Sequence, residues 1–286
     1  MKICVIIPVH NEVSSIGQVV RSVRAVLDGL PVEYQVTVVD DGSEDGTGEE
    51  AASAGAVVLS RPYRNGNGAA VKHGIRSVDG DVIILMDGDG QHKAEDIPRL
   101  LEPMAEYEMV VGARSTDSET EFHRDVANRF YNILASYIVG YHVEDLTSGF
   151  RAIDGHVAKK VAYLFPNGFS YPSTCTIALF RGGYSVKYIP VKTRYRIGNS
   201  KIRLFRDGLS FLLILLRIGT LFRPLRIFIP VTIAVFLPGL VLATYRLAIG
   251  RPWTIPVVIS FTAALMLFAM GLISEQIALI RMSSLD

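Results

Sequence analysis

Val82-Ile83-Ile84-Leu85-Met86-Asp87-Gly88-Asp89-Gly90-Gln91 sets a run of apolar residues directly before two carboxylates, two glycines and an amide. A short apolar run bounded by turn residues reads as a strand buried on both faces, here 82–86, and the Asp-Gly pairs read as a tight turn at its carboxyl end. Asp and Gly also occupy turns for backbone reasons alone, so the meaning of the pair depends on what the neighbouring strands bring to it. Outward from this stretch, apolar runs at 3–9, 35–40, 56–60 and 109–112 alternate with helical patterns at 14–27, 44–54, 69–78, 94–107 and 125–139. That rhythm predicts an α/β domain, Rossmann-like, with a mostly parallel sheet covered by helices on both faces. Sheets of this kind bind ligands beyond the carboxyl ends of their strands.

The polar residues gather at those ends: Asn11 and Glu12, then Asp40, Asp41 and Ser43, then Arg64 to Gly68, then Asp87, Asp89 and Gln91, then Arg114. Two carboxylates and an amide oxygen on one turn suit a hard divalent cation such as Mg²⁺ or Mn²⁺, which takes one or two carboxylates and completes its shell with substrate phosphate and water. Asp40-Asp41-Gly42-Ser43 ends its strand in the same way and suits hydrogen bonds to a base or ribose. Arg64-Asn65-Gly66-Asn67-Gly68 opens a helix that carries Lys72, and a helix N-terminus with a nearby cation favours a diphosphate. These glycines do not follow the first strand as a dinucleotide fingerprint does, which argues against a dehydrogenase.

The 286 residues carry a net charge of +1, so no global basic field points to nucleic acid. The two cysteines, Cys4 and Cys175, match no metal spacing and read as small core residues in a reducing compartment. No charge interrupts 227–245 or 252–274, about 19 and about 23 positions, each close to a bilayer's helical thickness. Two transmembrane helices, about 227–245 and 253–274, are expected. A pair of buried core helices is the alternative, with no amphipathic partner to cover it. Before them, 202–222 alternates Arg203, Arg206 and Arg217 with Leu, Ile and Phe, as an interfacial helix on an anionic membrane does; a core helix is the other reading. The apolar run at 3–9 is followed at once by His10, Asn11 and Glu12, unlike a secretory signal. With Arg223 and Arg226 also ahead of the first span, the positive-inside bias predicts that the N-terminal domain lies in the cytoplasm. Trp253 reads as an interfacial anchor, Phe130, Tyr131 and Tyr137 as helical core positions, and Glu275 as a residue reaching the interface; His73, His123 and His142 form no metal set.

In order along the chain stand Pro8-Val9-His10-Asn11-Glu12, Asp40-Asp41-Gly42-Ser43, Asn65-Gly66-Asn67-Gly68, Met86 to His92, Gly112-Ala113-Arg114, Asp145-Leu146-Thr147-Ser148-Gly149-Phe150-Arg151 and Arg196-Ile197-Gly198-Asn199-Ser200-Lys201. This series resembles the inverting family-2 glycosyltransferases of GT-A fold, and within them the polyprenyl-phosphate glycosyltransferases similar to dolichol-phosphate mannose synthase. The resemblance implies a GT-A domain over 1–201, juxtamembrane amphipathic helices over 202–225 and a membrane anchor over 226–286. It implies Asp87, Asp89 and Gln91 as metal ligands and a nucleotide pocket of Pro8, Asn11, Glu12, Asp40, Asp41, Ser43, Gly68, Lys72, Asp87 and Gly88. It further implies Asp89, Arg114, Arg129 and Arg196 as catalytic residues, with Arg114, Arg129, Arg196 and Lys201 on the acceptor phosphate. The partners are a nucleotide-diphosphate sugar, a polyprenyl phosphate (dolichyl or undecaprenyl) and the bilayer, and the family resemblance permits a homotetramer. His10 stands where the family usually has an aromatic residue, and Gly88 and Gly90 replace its commoner Ala and Leu. These departures bear on the donor sugar rather than on the reaction, and a UDP-sugar is favoured over GDP-mannose.

An acceptor phosphate monoester is already ionised near neutral pH, its second pKa being about 6, so no strong general base is needed. In-line displacement inverts the anomeric centre. A processive polysaccharide synthase shares such a nucleotide domain, but its usual Gln-x-x-Arg-Trp run is missing from this sequence. A non-enzymatic membrane scaffold would explain the spans and leave Asp40, Asp41, Asp87 and Asp89 without purpose.

Overall fold

Backbone hydrogen bonding joins β1 (Lys2–Val9), β2 (Glu33–Asp40), β3 (Val57–Ser60), β4 (Val82–Leu85), β5 (Met109–Arg114), β6 (Arg151–Asp154) and β7 (Val186–Val191) into one sheet of order β3-β2-β1-β4-β6-β5-β7. The computed structural model describes residues 1–115, 122–168, 170–193, 216 and 219–282, with the backbone alone at 122–128 and 281–282. The β1, β2, β3 and β4 pairings are parallel, as is β5 with β7, while β6 runs antiparallel to both β4 and β5. The sheet is therefore mostly parallel, as the alternating pattern predicts, with one reversed strand that the pattern does not reveal. β6 has only four residues and begins on a charge, so neither its length nor its composition stands out.

The helices that follow the strands up to β7 are α1 (Val13–Leu27), α2 (Thr47–Ser53), α3 (Asn67–Ser77), α4 (Ile97–Leu101), α5 (Phe122–Val139), α6 (Gly155–Val161) and α7 (Tyr171–Arg181). In α1, Ile16, Val19, Val20, Val23 and Leu27 are buried, an apolar stripe at helical spacing, and they pack with Ile3, Val5 and Ile7 of β1 in one core. The helix expected over 94–107 is broken instead into 3-10 turns at Ala94–Asp96 and Glu102–Ala105 flanking the short α4. Pro98 and Pro103 remove amide donors there. Helix α7 escapes the periodic reading because it is buried nearly all round, Ser173, Thr174, Cys175 and Thr176 included, so no amphipathic stripe marks it.

Two compact units divide the chain: Met1–Ile133 with His142–Gly208, and Leu134–Tyr141 with Leu209–Asp286. In the second, α8 (Pro224–Ala248) and α9 (Ile255–Met282) pair as a hairpin. Each is long and apolar enough to cross a membrane, with a mean hydropathy of 2.3 over its most apolar window. Helix α8 runs three residues beyond the span expected at 227–245 at each end, while α9 starts two residues after the expected 253 and runs eight past 274. Trp253 lies exposed between them and meets Phe261 edge-on at 6.0 Å. The interfacial helix expected over 202–222 lies almost wholly outside the described residues.

Phe130 and Tyr137, expected in the core, are 54% and 49% exposed. Tyr137 has a different use. Pro230 lacks the N–H that would serve the Arg226 carbonyl inside α8, and the Tyr137 hydroxyl donates to that oxygen at 3.0 Å. Arg226 returns a guanidinium bond to the Tyr137 carbonyl and lies over its ring, 5.7 Å from the centroid. Glu275 does more than reach an interface: its carboxylate accepts the Leu225 amide at 3.2 Å, filling one of the orphan donors at the start of α8. Tyr137→Phe strands the Arg226 carbonyl, so the hairpin should lose about 1–3 kcal/mol. Chemical denaturation in detergent, monitored by Trp253 fluorescence, is the check, and a midpoint equal to wild type would overturn the assignment.

Candidate active site

Strands β1, β2 and β4 are adjacent and parallel, so their polar ends meet at one edge of the sheet. Val9 is in register with Asp40, and the Asp41 amide donates to the Val9 carbonyl at 3.0 Å. The Asn11 amide donates to Ser43 Oγ at 3.0 Å, while Asn11 Oδ1 accepts the Glu44 amide at 3.0 Å. Asn11 holds a left-handed backbone (φ 55°) to do this, a conformation that Asn tolerates better than most residues. Asp40, 7% exposed, accepts the Ser43 amide and hydroxyl at 2.9 and 2.5 Å. Pro8 is buried near the end of β1. A Cβ placed on Gly88 would lie 2.6 Å from the Glu12 carboxylate, so the β1 end and the β4 turn are in direct contact. Ser15 Oγ seals that contact by donating to the Gly88 carbonyl at 2.8 Å.

Asp41 is 3% exposed and fully engaged: it accepts the Asn65 amide at 3.0 and 3.1 Å and the Gly66 amide at 2.6 Å, and Arg61 stands 3.9 Å away. It fixes the turn that opens α3. The amides of Gly68 and Ala69 donate to the carbonyls of Gly168 and Asn167 at 3.1 and 2.9 Å, and Lys72 Nζ donates to Asn167 Oδ1. A Cβ at Gly68 would fall 2.0 Å from the Pro166 carbonyl, so glycine is required there for backbone to cross backbone. Gly68 and Lys72, which the sequence assigns to a diphosphate, are thus placed against the 166–168 segment.

Asp89 is 9% exposed and accepts the Gln91 amide at 3.1 Å, with Gly90 left-handed at φ 75° closing the turn. Asp87 packs on the turn that precedes β6: a Cβ at Gly149 would sit 2.3 Å from its Oδ2. Two carboxylates and the Gln91 amide oxygen occupy this loop, and among the described residues no cluster of three His, Cys, Asp or Glu is present. That donor set fits a hard cation that draws its remaining ligands from phosphate and water, and does not fit a zinc site built of protein nitrogen and sulfur. His92, next in sequence, stacks on Phe150 with ring centroids 5.1 Å apart. Burial, aided by Arg114, pushes its pKa down to about 4, so at neutral pH it is an uncharged wall.

Arg114 does not stand open to solvent anions. Its Nε and Nη2 fork onto Asp145 at 2.8 and 2.9 Å, its amide donates to the same carboxylate at 3.1 Å, and Nη2 also donates to Thr147 Oγ1. Burial raises the Asp145 carboxyl, but the Arg114 charge and hydrogen bonds outweigh it and hold the group below the usual carboxylate range. Asn132 of α5 donates to the Glu144 carbonyl and accepts the Leu146 amide at 3.0 Å. Arg129 is exposed on α5 three residues earlier, on the same helical face. Arg196 and Lys201 lie outside the described residues. Within the motif 145–151, the pairing of Asp145 with Arg114 and the contact of Gly149 with Asp87 emerge only from the packing.

Residues 4–162 match glycosyl transferase family 2, and residues 223–280 match the GtrB C-terminal hairpin. The chain is 30% identical over 292 residues to the undecaprenyl-phosphate 4-deoxy-4-formamido-L-arabinose transferase of Edwardsiella ictaluri, covering 96% of this chain and 88% of that one. It is also 30% identical over 204 residues to the uncharacterized protein MJ1222 of Methanocaldococcus jannaschii, 68% of this chain and 82% of that one. Among solved structures, glucosyl-3-phosphoglycerate synthase from Mycobacterium tuberculosis, crystallised with Mn²⁺, UDP-glucose and phosphoglyceric acid, superposes with a TM-score of 0.64 at 22% identity, over 76% of this chain and 79% of that one. With its carboxylate-edged mixed sheet and a C-terminal hairpin of apolar helices, this chain belongs to glycosyl transferase family 2 and has the GT-A fold.

Proposed function

We propose that the protein transfers a sugar from a nucleotide-diphosphate donor, a UDP-sugar by preference, to the phosphate of a polyprenyl lipid at the cytoplasmic membrane face, with inversion. One observation carries the reading: the ends of β1, β2 and β4 bring Asn11 and Glu12, Asp40 and Ser43, and Asp87 and Asp89 to one sheet edge in a chain that ends in two apolar helices. The undecaprenyl-phosphate transferase relatives support the acceptor class. The proposed division is a catalytic domain over 1–201, a juxtamembrane segment over 202–225 and an anchor over 226–286, with the positive-inside bias as the argument for sidedness. The last turns of α5 group with the anchor.

Asp40, Ser43 and Asn11 would orient the nucleoside, and Asp41 would act by holding the Asn65–Gly66 turn in place. Asp87, Asp89 and Gln91 would hold a divalent Mg²⁺ or Mn²⁺. A metal so bound neutralises charge on the leaving diphosphate. Arg129, on the α5 face that Asn132 ties to the 144–146 loop, would approach the acceptor phosphate. Arg114 would shape that side through Asp145, and Arg196 and Lys201 would complete it. A neutral His92 and the apolar Phe150 beneath the loop limit water there, which strengthens every charge interaction at the reacting centre.

Asp89→Ala should lower turnover by about 10²- to 10³-fold, the order lost with a charge-stabilising contact, and EDTA should do the same to wild type. Release of nucleotide diphosphate with a short-chain polyprenyl phosphate is the assay, and full activity in chelator would sink the metal assignment. Arg129→Ala and Arg196→Ala should cut the rate with polyprenyl phosphate by about 10²-fold, because a guanidinium grips phosphate oxygens bidentately, while nucleotide affinity by calorimetry stays within a few-fold. Loss of nucleotide affinity with an intact acceptor rate at saturating donor would move both arginines to the donor pocket.

A further inference from the structure

Arg151 opens β6 and is 0% exposed. Among the described residues it makes no ion pair with a carboxylate: Nη1 donates to the Pro172 carbonyl at 3.0 Å and to Thr176 Oγ1 at 3.2 Å, Nη2 donates to the Ser148 carbonyl, and Nε has no partner. An arginine placed this way is costly, because desolvating a guanidinium takes several kcal/mol that carbonyl contacts alone only partly return. A core position would be filled more cheaply by Met or Leu, so the charge calls for a reason.

The groups around it supply one. By bonding the Ser148 carbonyl together with Pro172 and Thr176 of α7, Arg151 fixes the turn Ser148-Gly149-Phe150. Ser148 Oγ donates to the Gly112 carbonyl at 2.6 Å and pins the same turn to β5. The Tyr171 hydroxyl, on α7, reaches the Gly149 carbonyl at 3.5 Å. The outer side of Gly149 touches Asp87, with no room even for a methyl group. Asp87 and Arg151 thus face each other across one glycine and one phenol. The phenol registers both: burial raises the Tyr171 pKa most, Asp87 raises it further, and Arg151 opposes them.

We propose that Arg151 is a positioning residue for sugar transfer, holding the Ser148–Phe150 turn against Asp87 from the buried side so that this carboxylate is set in place before a divalent cation binds. The proposal rests on the reading of Asp87 as a metal ligand. Arg151 touches neither substrate nor cation, and its effect should therefore appear in metal affinity rather than in donor recognition. Lysine keeps the charge and loses the fork; glutamine keeps some hydrogen bonding and loses the charge.

The test uses the full-length protein in detergent, with Arg151→Lys, Arg151→Gln and, from the opposite side of the contact, Gly149→Ala. Three quantities are read: the melting temperature, Mn²⁺ affinity by electron paramagnetic resonance of the protein with UDP and no acceptor, and the Mn²⁺ concentration giving half-maximal turnover. Each folded variant should bind Mn²⁺ about tenfold or more weakly, the usual size of an effect on a metal from residues behind its ligands, with UDP affinity in the absence of metal unchanged. Saturating Mn²⁺ should restore much of the rate to Arg151→Lys. Wild-type Mn²⁺ affinity in a folded Arg151 variant overturns the proposal. If both Arg151 variants fail to fold, Gly149→Ala decides alone, and wild-type Mn²⁺ affinity there overturns it equally. Asp87→Ala in an otherwise wild-type chain separates the two levels: unchanged Mn²⁺ affinity in that variant removes the metal reading itself, whatever Arg151 does.

Discussion

A parallel sheet delivers all its strand ends to one edge, and the chain must leave that edge by loops whose polar groups need partners. Here a single reversed strand changes what reaches the edge. Because β6 runs against β4, with Arg151 in register with Leu85, residues 145–150 enter where β4 finishes. The Asp87 loop therefore meets Gly149 on one side and the Glu12 end of β1 on the other. A parallel strand in the same slot would bring its own carboxyl end to this edge and carry the 145–150 turn to the opposite one.

Burying so much polarity at one edge is tolerable only when each group is answered. Asp41 and Asp145 show two solutions. Asp41 is answered mostly by backbone amides, which commits it to shaping the turn ahead of α3. Asp145 is answered by the Arg114 fork and by the amides of Thr147 and Ser148, and two parallel N–H bonds to one carboxylate give direction as well as energy. Both carboxylates organise their neighbours. Asp87 and Asp89 sit on the neighbouring loop, where Asp89 accepts the Gln91 amide and Asp87 packs against Gly149.

The parts of this arrangement that were legible in the sequence share a physical basis. The apolar runs of β1, β2, β4 and β5 and the stripe on α1 are period signals, and their boundaries fall within a few residues of the structure. The turn residues after each strand marked the site edge for the same reason: Asp, Asn and Gly end strands, and strand ends bind ligands in this fold. What stayed hidden was set by tertiary packing. β6 is too short to carry a period, α7 is buried on every face, and α4 is cut by prolines that a helical pattern alone overlooks. Which neighbours a charged residue pairs with is likewise undecidable from spacing, as Arg114 with Asp145 and Lys72 with Asn167 show.

The same accounting governs the apolar hairpin, where lipid offers no hydrogen bonds and every broken helical bond must be met from within the protein. Pro230 breaks one, and the Tyr137 hydroxyl meets it. Pro238 leaves the Ala234 carbonyl without its usual amide partner, and one residue further on Ser260 donates to the Val235 carbonyl from the facing helix, close to where Gly239 lets the two helices approach. The first turn of α8 has spare amides, and Glu275 takes one. These bonds come from α5 through Tyr137 and from α9 through Ser260 and Glu275, so they tie both segments to α8. Pro230 is thereby a specifying element: with an ordinary amide at that position the Arg226 carbonyl would not need Tyr137, and the last turns of α5 would lose that polar tie to the hairpin.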